Sequence, residues 1–468
     1  MMNWEQASKS LLKDPSRLEL WQTLIYDAES STKETPHSIL GLSRIFVIRQ
    51  SYRAFLARFP LFSKYWSSLA KWEFKLGSRE RASEIFMEGM KFVSFDIDYW
   101  VTYLTFISES ITDDTKEVLE LFEEARYKIG YSYFSGEYYA LYLSFLKSYA
   151  THENRYMEKY ALLLRHVIEL PIYNGAIFLK ELLEYIAIQN IRKVNLGFLL
   201  PDHQLKQLKD QENNNFSTIS QKLDKCFRNT FEVSQFKIHE MYLFESQLGR
   251  HLQFSSSQMT SEEVDLWHLY LDYIEQNYPF LFLQQVYERL LLVSALSSEF
   301  AIRYFNLLLL LNKRSQARSV LERISSFVPT RQKYDALVRL VDLEIHKNNL
   351  HRARDLIINN LELNNDIPFE IYEKLVHLES LVNPRDDGTY LCKLTTEIVL
   401  TTNSTNFLIN LRNYKIVPSV LVECLKLFLA EDGEFNNVGK HMNTEQFERL
   451  QEFYFRVLSL ESISRPAP

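Results

Sequence analysis

Trp66-Ser67-Ser68-Leu69-Ala70-Lys71-Trp72-Glu73 sets large apolar side chains at i, i+3 and i+6, which puts them on one face of an α-helix. The spacing returns as Trp100, Tyr103 and Phe106, as Tyr139, Tyr142 and Phe145, and as Trp267, Tyr270 and Tyr273, with a looser copy at Trp21 and Leu24. A second pattern follows the first. Ala82-x-x-Ile85-Phe86-x-Glu88-Gly89 is matched by Val118-x-x-Leu121-Phe122-Glu123-Glu124-Ala125. Later copies are Leu283-x-x-Val286-Tyr287-Glu288-Arg289-Leu290 and Ala317-x-x-Val320-Leu321-Glu322-Arg323-Ile324; weaker ones begin at Ile48, Tyr160 and Ala353. Two kinds of helix, A and B, therefore alternate. Neither buries its stripe alone, so successive αα-hairpins must stack.

The expected fold is all-α, an α-α superhelix of helical repeats in two arrays joined by a long helix. Its expected anchors are Trp21, Trp66, Trp72, Trp100, Tyr139 and Trp267 on A helices, and Phe86, Phe122, Tyr287 and Leu321 on B helices. Glu88 and Glu288 are expected to be structural partners at the hairpin packing face. Composition agrees: Gly 11 and Pro 12 in 468 residues leave little material for turns of sheets or catalytic loops.

The array expected first covers residues 1–190, with Pro60 and Pro171 each closing an apolar run. Residues 191–216 are polar, Asn-rich and broken by Pro201, and read as a linker or insertion. The stretch 217–250 reads as one long connecting helix, free of Gly and Pro until Gly249, with Thr218 and Gln221 able to form a capping box. The second array is expected over 251–468, its pattern fading after about residue 365. Asn443, with Gln446 three residues on, starts a last helix carrying Phe447, Leu450, Tyr454, Val457 and Leu458 on one face. Phe453, Phe455 and Leu460 widen its apolar surface, and the eight residues together are the candidate dimer interface.

No chemistry assembles. Phosphate-binding loops and dinucleotide fingerprints are missing, and His239-Glu240 and His152-Glu153 lack the second histidine of a metalloprotease helix. Neither a nucleophile–base–orienter set nor metal-ligand spacing is found, so no catalytic, cofactor or metal site is expected. Cys226, Cys392 and Cys424 are too scattered for a disulfide framework, which suits a reducing compartment. No apolar run approaches the length of a membrane span. A net charge of −7 argues for little direct RNA contact, because phosphate binding rests on Lys and Arg. Lys313-Arg314 with Arg318 and Arg323, and Arg352 with Arg354, read as solvated faces or protein contacts.

The paired motifs resemble the half-a-TPR (HAT) repeat. A TPR carries glycine where these A helices have Ala70, Leu104, Leu143 and Leu271. Phe59-Pro60 to Trp66, then Glu73 to Gly77, resembles a repeat of the pre-mRNA-processing factor 39 and 42 family of the U1 small nuclear ribonucleoprotein (snRNP). Phe134-Ser135-Gly136-Glu137-Tyr138, Ile168-Glu169-Leu170-Pro171, and Phe244-Glu245 ahead of Trp267 resemble further parts of it, closer to its yeast factor 42 branch. The match covers roughly residues 45–290 and weakens beyond.

The resemblance implies a nuclear scaffold of pre-mRNA splicing that supports 5′ splice-site recognition. It implies contacts with U1 snRNP proteins, among them a paralogous HAT-repeat subunit and the zinc-finger protein C. A hetero- or homodimer through the C-terminal repeats is also implied. A HAT scaffold of mRNA 3′-end cleavage or ribosomal-RNA processing is the alternative, with a TPR-like adaptor of a cytoplasmic enzyme or chaperone behind it.

Overall fold

The computed structural model describes residues 4–13, 17–30, 41–109, 115–151, 154–188, 199–200, 216–248, 254, 259–295, 297–327, 333–361 and 369–382. Every regular element among them is an α-helix. The chain divides into two compact units, Met1–Ser294 and Ala295–Pro468.

In the first unit, α1 (Trp4–Lys13), α2 (Leu18–Ser30), α3 (Leu42–Arg58), α4 (Ser63–Lys75) and α5 (Arg79–Val93) alternate B and A, odd numbers being B helices. The alternation continues through α6 (Ile97–Glu109), α7 (Thr115–Ile129), α8 (Gly136–Ser148), α9 (Tyr156–Glu169) and α10 (Ala176–Ile188). The long α11 (Phe216–Glu245) leads to α12 (Ser261–Asn277) and α13 (Phe280–Val293). Because α11 begins at Phe216, Thr218 lies inside its first turn and is not its N-cap, contrary to expectation. A capping box does stand at the start of α12. There the Thr260 hydroxyl accepts from the Glu263 backbone N–H, and the Glu263 carboxylate accepts from that of Thr260.

Aromatic stripes close each hairpin through both packing and hydrogen bonds. Trp66 and Trp100 are buried, and each indole donates to the carbonyl six residues upstream, Pro60 and Ser94, at 2.8 Å. The residue ahead of the anchor adds a second tie. Tyr99 donates its hydroxyl to the Phe86 carbonyl at 3.0 Å, and Tyr138 donates to that of Phe122 at 2.7 Å. Tyr139, Trp267, Phe86, Phe122, Tyr287 and Leu321 are buried as well. Trp21 and Trp72 are only half-buried. Trp72 lies beside the polar Glu29, to whose carboxylate its indole donates at 2.9 Å, and Trp21 meets the edge of Phe55.

The two signature glutamates part company. Glu288 is buried, but Glu88 is exposed, because it stands two residues after its aromatic and Glu288 stands one after. A one-residue offset turns a helical side chain by about 100°.

The first unit is not a simple row. Gln285 of α13 donates to the Tyr127 carbonyl of α7 at 3.3 Å, and the Tyr131 and Phe282 rings meet at 5.3 Å. Arg289 lies over Phe134 at 5.7 Å. So α12 and α13 pack with the first array, and the division between units falls after Ser294, inside the stretch 251–468 that was expected to be one array.

The second unit contains α14 (Glu299–Leu310), α15 (Arg314–Phe327), α16 (Lys333–His346), α17 (Leu350–Leu361) and α18 (Phe369–Val382). Tyr334, Leu337, Val341, Ala353, Ile357, Ile371, Leu375 and Leu378 form a core cluster across α16, α17 and α18. The candidate dimer residues Phe447, Leu450, Phe453, Tyr454, Phe455, Val457, Leu458 and Leu460 lie outside the described residues.

Candidate interaction surface

A stacked array offers a function by what its A helices display, since each hairpin adds one A helix to the same face. That display depends on how neighbouring hairpins are locked, and here a buried ion pair recurs. Arg49 of α3 binds Glu73 of α4 through two bonds of 2.5 and 2.6 Å. Arg318 of α15 reaches Glu344 of α16 at 2.9 Å, and Arg354 of α17 pairs with Glu379 of α18. In each case a B-helix arginine holds the next A helix, and the glutamate is buried. Such pairs fix rotation and register more than they stabilise, because desolvation offsets much of the attraction.

The glutamate position is tied to the helix end. In α4 the Ser78 N–H bonds the Glu73 carbonyl and the Gly77 N–H bonds that of Phe74, with Gly77 at φ +85°. Such a left-handed C-terminal cap suits glycine. In α16, Asn349 bonds Glu344 and Asn348 bonds Ile345 in the same way, with Asn348 at φ 60°. The motif Glu73 to Gly77 is thus an ion pair and a helix stop in one.

A fourth pair differs in order. Glu245 at the end of α11 accepts from Arg289 of α13 and from the Tyr270 hydroxyl of α12, both at 2.8 Å. The Arg289 guanidinium also lies 5.1 Å from the Trp267 ring. Phe134, on its other flank, lines a groove between α8 and α10.

That groove encloses about 490 Å³. Phe134, Ala140, Tyr173, Ile177 and Phe178 give it an apolar lining, while Glu137, Lys147 and Glu181 bring charge. Glu181 is held by the Tyr160 hydroxyl at 2.5 Å. The lining can bury an apolar side chain and orient a polar one; it assembles no nucleophile with a base. The sequence anchors do not converge there. They are spread along the hairpins, whereas the groove residues carry no periodic signal; Phe134, Gly136 and Glu137 stood out in the sequence only through the family resemblance. Among the described residues, no group of three possible metal ligands exists.

A family model of PRP39 N-terminal HAT repeats matches residues 5–181, and one of PRP39 C-terminal HAT repeats matches 239–380. The chain belongs to the PRP39 family of HAT-repeat proteins. U1 small nuclear ribonucleoprotein component PRP42 of Saccharomyces cerevisiae is 28% identical over 287 residues, which cover 58% of this chain and 50% of that protein. Pre-mRNA-processing factor 39 of Schizosaccharomyces pombe is 24% identical over 328 residues, covering 64% and 50%. The chain spans about half the length of these curated relatives. The crystal structure of CstF-77 aligns at a TM-score of 0.41 and 12% identity, over 87% of this chain and 91% of that one. In HAT terms, Phe59-Pro60 to Trp66 joins an acceptor carbonyl to the indole that donates to it.

Proposed function

We propose that this PRP39-family chain is a non-catalytic scaffold subunit of the U1 snRNP, acting in the nucleus to support 5′ splice-site recognition through protein contacts. The observation that carries the reading is the match of both HAT arrays to PRP39 models, alongside a relative named as a U1 component. The A-helix face and its groove supply surface for protein side chains. Its partners in this reading are a paralogous HAT-repeat subunit, joined through the C-terminal repeats, and the zinc-finger protein C.

Affinity purification of the tagged full chain with sequencing of bound small RNA tests the assignment. U1 small nuclear RNA should dominate. Enrichment of ribosomal-RNA precursors or of 3′-end cleavage factors would move the chain to another complex. Removing residues from Asn443 onward should abolish association with the paralogous subunit in light scattering.

A further inference from the structure

The whole-chain charge of −7 conceals an opposite block. Residues 41–81 hold nine Lys or Arg and two acidic residues, a local net of +7. One of those acids, Glu73, is buried against Arg49 and adds little to the surface field. Within this block, α4 turns Trp66, Leu69, Ala70 and Glu73 inward. At 100° per residue, Lys64, Lys71 and Lys75 fall within about 40° of one another on the opposite side. All three are exposed. Lys64 and Lys71 have no ion-pair partner among the described residues, and Lys75 lies 5.9 Å from the Trp72 ring.

We propose that the lysine strip of α4 is a docking site for an acidic peptide segment of a partner protein. Spacing and charge carry the choice. Along the helix axis the lysines stand about 10 Å and about 6 Å apart. In an extended peptide, acids at alternate positions share one face and recur about every 7 Å, close to the Lys71–Lys75 step and within reach of the flexible Lys64 stem. Ser67 and Ser68, half-buried between them, leave the strip low and narrow.

The flanking A helices select against a broad polyanion. α2 displays Glu19, and α6 displays Asp98 and Glu109 at the positions that Lys64 and Lys75 occupy on α4. The rings beside the lysines are already engaged: Trp72, half-buried next to Lys75, donates its indole to Glu29, and Phe74 at the edge packs against Phe106 at 5.2 Å. Single-stranded nucleic acid is bound by positive charge combined with successive stacking rings, and no such series runs along this strip.

The test uses the full chain and fluorescence anisotropy at low ionic strength. The probes are a labelled peptide of alternating Glu and Ser and an oligouridylate of the same length. The peptide should bind, and Lys64→Glu/Lys71→Glu/Lys75→Glu should weaken it by at least about tenfold. Arg53→Glu/Arg58→Glu/Arg81→Glu, which changes the same charge on exposed B-helix positions, should weaken it by less than about threefold. If the lysine-to-glutamate variant loses its helical circular dichroism, Lys64→Ser/Lys71→Ser/Lys75→Ser must reproduce the loss. Equal effects of lysine and arginine reversal, tighter binding of oligouridylate than of peptide, or no peptide binding would each overturn the proposal. The scaffold reading stands or falls separately, on the RNA that co-purifies.

Discussion

Replacing Arg289 with methionine removes one ion from a site where its partner has nowhere to go. The side chains of Arg289 and Glu245 are 6% and 2% exposed. In the variant, the Glu245 carboxylate keeps the Tyr270 hydroxyl alone. Breaking a buried pair in this way costs about 3–5 kcal/mol, and the guanidinium's contacts with Trp267 and Phe134 are lost with it. The intact pair is imperfect, since Glu245 Oε2 and Arg289 Nε have no hydrogen-bond partner among the described residues. Removing both charges should therefore cost far less than the sum. Arg289→Met/Glu245→Leu leaves mainly the Tyr270 hydroxyl unsatisfied, about 1–3 kcal/mol. Glu245→Leu alone strands a buried cation and should cost about as much as Arg289→Met. Hydrogen exchange over residues 127–135 and 280–293 reads the opening free energy of these segments for all four proteins. An Arg289→Met effect below about 1 kcal/mol, typical of an exposed pair, would refute the reasoning. So would strict additivity of the two single changes.

Two further changes probe α5 and α6. Asp96 caps α6 by accepting from the Tyr99 N–H at 2.9 Å, and burial pushes its carboxyl up to about 6 against the hydrogen bonds from Ser63 and Tyr99. The folded state thus holds a proton that the unfolded chain releases near pH 4, so this stabilisation is complete below about pH 4 and lost as pH rises through about 6. Asp96→Asn keeps an acceptor without the charge. It should slow exchange in α6 at about pH 7.5 by roughly 2–3 kcal/mol of opening free energy, with no difference near pH 4; a pH-independent difference would count against it. Gly89→Ala should destabilise by about 1–3 kcal/mol, against the gain of about 1 kcal/mol expected from helix propensity. The new Cβ would sit 2.2 Å from Tyr99 Oη and 3.0 Å from Trp66 Cγ. Urea unfolding followed by tryptophan fluorescence decides the sign, and Gly89→Ala/Tyr99→Phe should recover part of the loss.

Much of the hairpin alternation was written in the sequence because a bulky side chain every third residue has one cheap arrangement, a buried helical face. Trp66, Trp100 and Trp267 follow that rule. Trp72 does not, because an indole can trade burial for a carboxylate, and the choice depends on where α2 puts Glu29. The buried glutamates were not legible. Glu73, Glu344 and Glu379 look like surface acids until an arginine some 25 residues earlier comes to lie beside them, which no periodicity within one helix reveals. Glu88 was misjudged by a register of one residue. The lysine strip was hidden by averaging: net charge over the chain is −7, while residues 41–81 around α3 and α4 carry +7. The groove between α8 and α10 depends on a separation between helices rather than on any residue pattern.

The bond from Gln285 to Tyr127 closes a circuit of 158 residues. A row of repeats that touch only their neighbours can fray from either end, one hairpin at a time. Fastening α13 to α7 converts that row into a closed loop, whose ends must be brought together before the contact gives anything back. The length-dependent entropy of that closure is roughly 4–5 kcal/mol, larger than the net yield of any single hydrogen bond across it. The junction therefore has to form as a whole, with the Tyr131–Phe282 contact and the Arg289 cluster arriving together. Formation of this unit is limited by a distant meeting rather than by zipping along the chain, and a long-range contact of this kind slows folding. It also makes the first unit behave as a latch: α12 and α13 should leave α7 and α8 in one step, with no stable half-open arrangement between.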